Sequence, residues 1–228
     1  MTAPQRTLEV IISDAAEAML AERAGANRLE LVAERERGGF SPSSETVRSV
    51  LEAVTIPVHA IVRIHDESYC YDMASREAML KTAKEFAALG VQGLVAGALL
   101  PDADIDTAFL CDVIDRAGVA ELTFHRAFDH SADPLASHSQ LTRFPQVTRV
   151  LTAGAAPDAW SGRALLRELS LLGRPPAILA GGGITPENVR EVVAATGVTE
   201  IHVGNGARTE GKLDPQKISA MAAALREA

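Results

Sequence analysis

One pattern constrains this chain more than any other: short aliphatic or β-branched runs alternate with longer segments of helical period, and eight such pairs follow one another. The strand candidates are 8–13, 28–32, 58–63, 93–99, 121–126, 149–154, 177–181 and 200–204. The helix candidates between and after them are 14–24, 43–53, 74–89, 106–117, 134–142, 157–172, 186–195 and 215–227. Repeated strand–helix units build parallel sheets, because a parallel strand must be reached by a crossover. Two architectures satisfy the pattern, an open doubly wound sheet and a closed barrel. A Rossmann sheet carries its glycine fingerprint after the first strand, whereas here the glycine-rich loops Gly181–Gly183 and Gly204–Gly206 follow the seventh and eighth strands. That placement favours an α/β chain forming a single (β/α)8 TIM-type barrel over residues 1–228, a length at which such a barrel runs as one domain.

Punctuation agrees with this reading. Gly25, Gly90, Gly118, Gly173 and Gly197 stand just past helix ends, and Pro186 and Pro215 suit first helical positions after Thr185 and Asp214. A net charge of −8, without basic blocks or basic–aromatic stretches, argues against nucleic acid and anionic membrane surfaces as partners. The polar start Met1–Thr7 and the short interrupted apolar run after it do not make a signal peptide. No window approaches the roughly 20 apolar residues of a membrane helix. With only Cys70 and Cys111, the chain has no disulfide framework, and the expected location is the cytoplasm.

Alternate side chains of a barrel strand point to the axis. If Leu8, Val10 and Ile12 face the helices, Glu9 and Ser13 face inward, and the same parity brings in Glu30, His59, Arg63, Thr123, His125, Thr152 and His202. Carboxylate, guanidinium and imidazole groups together can hold an anion and move protons near neutral pH. Glu30 with Arg63 also fits an internal salt bridge, since buried charges must be paired. Barrel sites form at the C-terminal mouth, which favours Arg63, His125, Arg126 and Asp129 over Glu9 and His59. The segment Thr123-Phe-His-Arg-Ala-Phe-Asp129 is the most site-like in the chain. In Leu179-Ala-Gly-Gly-Gly-Ile-Thr-Pro-Glu187 and the loop after it, Gly181, Gly182, Gly183 and Gly204 form a candidate anion or phosphate cradle, with Asn205 and Arg208 as further donors. Such glycines also serve a tight turn for steric reasons alone. For Cu(I), which takes converging thiolate, thioether or imidazole ligands, the only thiol near the mouth is Cys70, and Cys111 reads as a small core residue.

The segments Gly25-Ala-Asn-Arg-Leu-Glu-Leu31, Gly38-Gly-Phe-Ser-Pro-Ser43, Ile56-Pro-Val-His59, Tyr69-Cys-Tyr-Asp72, Thr123–Asp129, Val150-Leu-Thr152 and Glu200-Ile-His202 together resemble the CutC family over nearly the whole chain. The resemblance implies a cytoplasmic TIM-type barrel, a homodimer and a role in copper homeostasis, with copper as the candidate ligand and no organic cofactor. Glu30, Arg63, His125, Arg126, Asp129 and His202 match the family's site-like positions. Cysteines that family members often carry on the first strand and after the second-strand Glu-Leu are replaced here by aliphatic residues in Glu9-Val-Ile-Ile-Ser13 and Glu30-Leu-Val32. Three functions follow as expectations. One is a CutC-type protein associated by family with copper homeostasis, with weak Cu(I) binding as its candidate chemistry. The second is a lyase or isomerase acting on a small phosphorylated or carboxylated metabolite, with His125 as acid or base and Arg63 or Arg126 as anion clamp. The third is a regulatory or scaffold protein, which predicts tolerance of mouth mutations.

Overall fold

In the computed structural model, which describes residues 6–227, eight parallel strands close into a barrel in sequential order. They are β1 (Thr7–Ile12), β2 (Arg28–Leu31), β3 (Val58–Ile61), β4 (Gly93–Ala96), β5 (Leu122–Phe124), β6 (Val147–Thr152), β7 (Ala177–Gly181) and β8 (Glu200–Val203). Closure is made by β1, which pairs with β2 on one side and β8 on the other. The helices are α1 (Ala15–Arg23), α2 (Ser44–Ala53), α3 (Met73–Leu89), α4 (Thr107–Ala117), α5 (Pro134–Leu141), α6 (Arg163–Leu171), α7 (Val189–Thr196) and α8 (Pro215–Glu227). Most of the Met1–Thr7 stretch lies outside the described residues. No described helix is long and apolar enough to cross a membrane.

Local chemistry sets the helix starts. The carboxylates of Asp14, Asp72, Asp106 and Asp133 and the hydroxyl of Ser43 each accept a backbone N–H in the first turn of the helix that follows. All five glycines expected at helix ends have positive φ, the conformation that ends a helix at least cost in glycine. Two helices begin later than the sequence suggests. Residues 157–162 form turns, with Ala159 N–H bonded to the Gly182 carbonyl, and α6 starts only at Arg163. Pro186 is not a first helical residue. It sits in a turn where Asn188 Oδ1 accepts the Thr185 N–H, and α7 starts at Val189. Pro215 does open α8, its preceding Asp214 accepting the N–H of Gln216.

The apolar core is in two parts. The larger lies between the barrel and the helices and includes Leu8, Val10, Leu29, Val58, Leu94, Phe124, Val150 and Ile201. The smaller lies inside the barrel, where Val32, Ile61 and Val95 cluster with Ile11 beside them. The expected parity therefore holds for β1, β2, β3, β5 and β8. It fails on β6, because the register shifts between Leu122↔Val147 and Thr123↔Arg149 and leaves Thr148 unpaired. Arg149 and Leu151 take the inward parity, and Thr152 shares the outward parity of Val150. Ser13 also departs from expectation. It stands past the end of β1, exposed, with its hydroxyl donating to Glu17. Cys111 is exposed rather than a core residue, because α4 buries Phe109, Leu110 and Val113 and residue 111 falls on the opposite face.

Candidate functional site

The lower half of the barrel interior holds a network of charges. Glu9 accepts from Arg28 Nε, and Arg28 Nη2 reaches Glu200 at 2.6 Å. Arg149 bridges Glu200 at 3.1 Å and Glu121 at 2.9 Å. Each guanidinium thus faces two carboxylates, which is how so much buried charge is tolerated. Arg28, Glu121, Arg149 and Glu200 are not among the candidates the sequence offers, although Arg28 and Glu200 open their strands and Glu121 directly precedes β5 on the inward parity, while Arg149 turns inward only through the register shift on β6. His59 sits among them, fully buried, and burial holds its pKa down at about 4, so it is neutral.

This network ends upward in a pair of groups at the floor of a pocket. His202 Nδ1 lies 2.7 Å from Glu9 Oε1, and its Nε2 lies 3.6 Å from Glu30 Oε2. Burial opposes charge on Glu9, but Arg28 and His202 outweigh it and hold the carboxyl well below the usual range. Burial likewise opposes charge on His202, and the carboxylates of Glu30 and Glu9 outweigh it and raise the imidazole. Glu30 has no guanidinium against it. Burial pushes its pKa up to about 7, with Glu9 adding to the shift and His202 and Arg28 acting against it. The alternative of a Glu30–Arg63 salt bridge is not realised among the described residues.

The pocket above them has a volume of about 400 Å³ at the C-terminal mouth. Glu30 and His202 line its floor, Val32 and Ile61 one wall, and Gly182, Gly183, Ile184, Gly204 and Gly206 the other. The N–H groups of Gly183, Ile184 and Gly206 donate to no acceptor among the described residues. Gly206 must be glycine, since a Cβ there would stand 1.8 Å from the Ile184 carbonyl oxygen. Gly181 ends β7 beneath this cradle and does not line the pocket. Arg126 lines the opening and is held by Asp129 at 2.7 Å. Arg35 closes over the pocket from the loop after β2, bonded to the Asn205 side chain. Arg208, expected to donate to an anion, is instead committed to Glu17 and the Ile11 carbonyl.

The remaining candidates lie beside this pocket. Asp129 accepts from Thr152, from the N–H groups of Ala153 and Ala155, and from Arg126, so its oxygens are fully used in fixing the loop after β6. His125 is buried, its Nδ1 accepting the Ala127 N–H at 3.2 Å, and burial with the Arg63 cation lowers its pKa to about 3. It is a neutral ring that does not border the pocket, whereas Glu30 and His202 do. Arg63 is buried next to it, donating to the Gly38 carbonyl at 3.1 Å. Cys70 is exposed on the loop between β3 and α3. Among the described residues no three His, Cys, Asp or Glu side chains are grouped to hold a metal ion, and a lone exposed thiol does not fit a Cu(I) site.

The model of the CutC family matches residues 6–207. The chain belongs to the CutC family. A CutC protein of Sodalis glossinidius (strain morsitans) is 39% identical over 87% of this chain and 78% of its own length. A CutC protein of Salmonella paratyphi B is 39% identical over 83% of this chain and 75% of its own. A solved CutC structure from Streptococcus agalactiae, named for copper homeostasis, superposes with a TM-score of 0.81 at 24% identity, covering 88% and 98% of the two chains. Phosphoribosyl anthranilate isomerase of Thermotoga maritima shares the fold, with a TM-score of 0.68 at 12% identity over 98% and 100%. The CutC resemblance read from the motifs and the (β/α)8 barrel read from the alternation therefore both hold.

Proposed function

We propose that this CutC-family chain is an enzyme, an isomerase or lyase that transfers a proton on a small phosphorylated or carboxylated metabolite. The observation that carries the reading is the Glu30–His202 pair, 3.6 Å apart at the floor of a pocket walled by glycine N–H groups. A carboxyl group with a pKa near 7 exists in both forms at neutral pH, as a proton carrier must. In the ionised form Glu30 takes a proton from substrate carbon, and in the neutral form it returns one to the neighbouring atom. His202 stabilises the carboxylate from one side, and Glu9 with Arg28 fixes the imidazole from the other. The unpaired N–H groups of Gly183, Ile184 and Gly206 offer an anion acceptor-free donors, and Arg126 adds a positive charge at the opening.

The test is a panel of phosphorylated sugars, hydroxy acids and oxo acids incubated with the protein and followed by mass spectrometry. At least one compound should be converted, with turnover falling about 10²–10⁴-fold in Glu30→Gln. Conversion that survives Glu30→Gln unchanged, or a panel left wholly untouched and unbound, would remove the proposal.

A further inference from the structure

Across the mouth from the glycine loops lies a second group of donors that the proton-transfer pair does not use. Arg63 is 8% exposed and forms no ion pair among the described residues. Its Nη1 donates to the Gly38 carbonyl, while Nε is buried without an acceptor and Nη2 makes no hydrogen bond to a described residue. The edge that carries Nε and Nη2 is the one a planar carboxylate meets with two parallel hydrogen bonds. The guanidinium carbon stands 5.8 Å from the Phe40 ring and 5.1 Å from the Tyr69 ring, contacts that hold the plane of the fork.

Its neighbours are donors too. The Tyr71 hydroxyl is buried beside Arg63 with nothing to donate its proton to, and burial, partly offset by the charge and hydrogen bonding of Arg63, pushes its pKa up to about 12, so it keeps its proton. His125 accepts at Nδ1, which leaves the proton of the neutral ring on Nε2, and that atom is also buried without a partner. Gly97 makes the ring's place, since a Cβ there would stand 2.8 Å from His125 Nδ1. Three donors and a guanidinium with no ion-pair partner are thus buried together, and apart from the Gly38 carbonyl no acceptor among the described residues meets them. Such a group is costly unless something anionic joins it. Gly38, which accepts from Arg63, also lines the 400 Å³ pocket, as does Ile61, the inward residue directly before Arg63.

We propose that Arg63, Tyr71 and His125 form a carboxylate subsite beside the catalytic pocket, with Tyr69 over it, so that the substrate carries an anionic group at each end. This rests on the proton-transfer reading for the other end, at the glycine loops.

The experiment follows the Arg63 Nε–H resonance and the backbone amides in uniformly ¹⁵N-labelled protein during separate titrations with benzoate and with inorganic phosphate, and measures both Kd values by calorimetry in the wild type, Arg63→Gln and Arg63→Lys. Benzoate should shift the Arg63 signal saturably, and its Kd should rise about tenfold or more in Arg63→Gln. Arg63→Lys, which keeps the charge and loses the fork, should recover only part of the affinity. Phosphate should act on the Gly183 and Gly206 amides and keep the same Kd in both variants. An Arg63 signal that saturating benzoate leaves in place overturns the subsite, as does a benzoate Kd unchanged in Arg63→Gln. Loss of phosphate binding at the glycine loops, with the benzoate response intact, would instead count against the proton-transfer reading alone.

Discussion

Changing Glu30 to glutamine should make the protein more stable relative to the wild type as the pH rises. The folded pKa of Glu30 stands at about 7 against an ordinary 4.5, so the native state holds this proton more tightly than the unfolded chain does. A raised folded pKa contributes stability that is fully present below about pH 4.5 and is lost as the pH rises through about 7. The loss amounts to about 3 kcal/mol, from roughly 1.4 kcal/mol per pKa unit. His202, also raised, adds loss in the same direction above its ordinary 6.5, and removing Glu30 removes the first of the two carboxylates that raise it. The glutamine amide has the shape of the protonated acid and never ionises, and groups away from this pair titrate alike in both proteins. At about 2–4 °C per kcal/mol for a chain of this size, the Tm of Glu30→Gln minus that of the wild type should rise by about 6–12 °C between pH 4.5 and pH 8.5. Differential scanning calorimetry over that range supplies the comparison. A difference that stays flat with pH, or falls, would mean that Glu30 is an ordinary ionised carboxylate, and the acid–base reading would go with it.

Other perturbations reach different parts of the account. Arg28→Met leaves Glu9 with His202 alone and Glu200 with Arg149 alone, so unfolding in urea should show a loss of about 3–5 kcal/mol. Gly206→Ala drives a methyl group into the Ile184 carbonyl and should abolish anion binding measured by calorimetry, with the barrel's circular dichroism retained. In Asp129→Asn, the weaker acceptor should loosen the loop after β6, seen as faster amide exchange at Ala153 and Ala155, while turnover falls far less than in Glu30→Gln. Cu(I) titrated against a competing chelator under reducing conditions should not be retained stoichiometrically. Tight binding lost in Cys70→Ser would contradict the donor-set argument.

The barrel was legible because its determinants are local and repeated. Apolar strand runs recur in each unit, helix caps or glycine stops mark most of the helices, and the position of the glycine loops separates a closed barrel from a Rossmann sheet. The inward set was legible wherever parity was unbroken, as at Glu9, Glu30 and His202. It failed at Thr152, because a bulge at Thr148 leaves no mark in the hydrophobic pattern. Charge partners distant in sequence were not legible. Glu30 and Arg63 are both inward and complementary, yet the geometry gives Glu30 to His202 and leaves Arg63 without a carboxylate. His125, in the most site-like segment, spends Nδ1 on capping the turn after it, whereas His202, in a plainer strand, connects the buried network to the pocket. Arg126 and Asp129 stand together as the sequence suggested, but Asp129 serves the loop.

The central claim is that the mouth above Glu30 and His202 takes an anion. Titrating inorganic phosphate into ¹⁵N-labelled protein while following the backbone amides of Gly183, Ile184 and Gly206 tests it most directly. The account predicts saturable shifts centred on those three amides, with a Kd of about 1 mM or tighter, and their loss in Gly206→Ala. Shifts spread over the surface without saturation, or centred on residues away from the pocket, would contradict it.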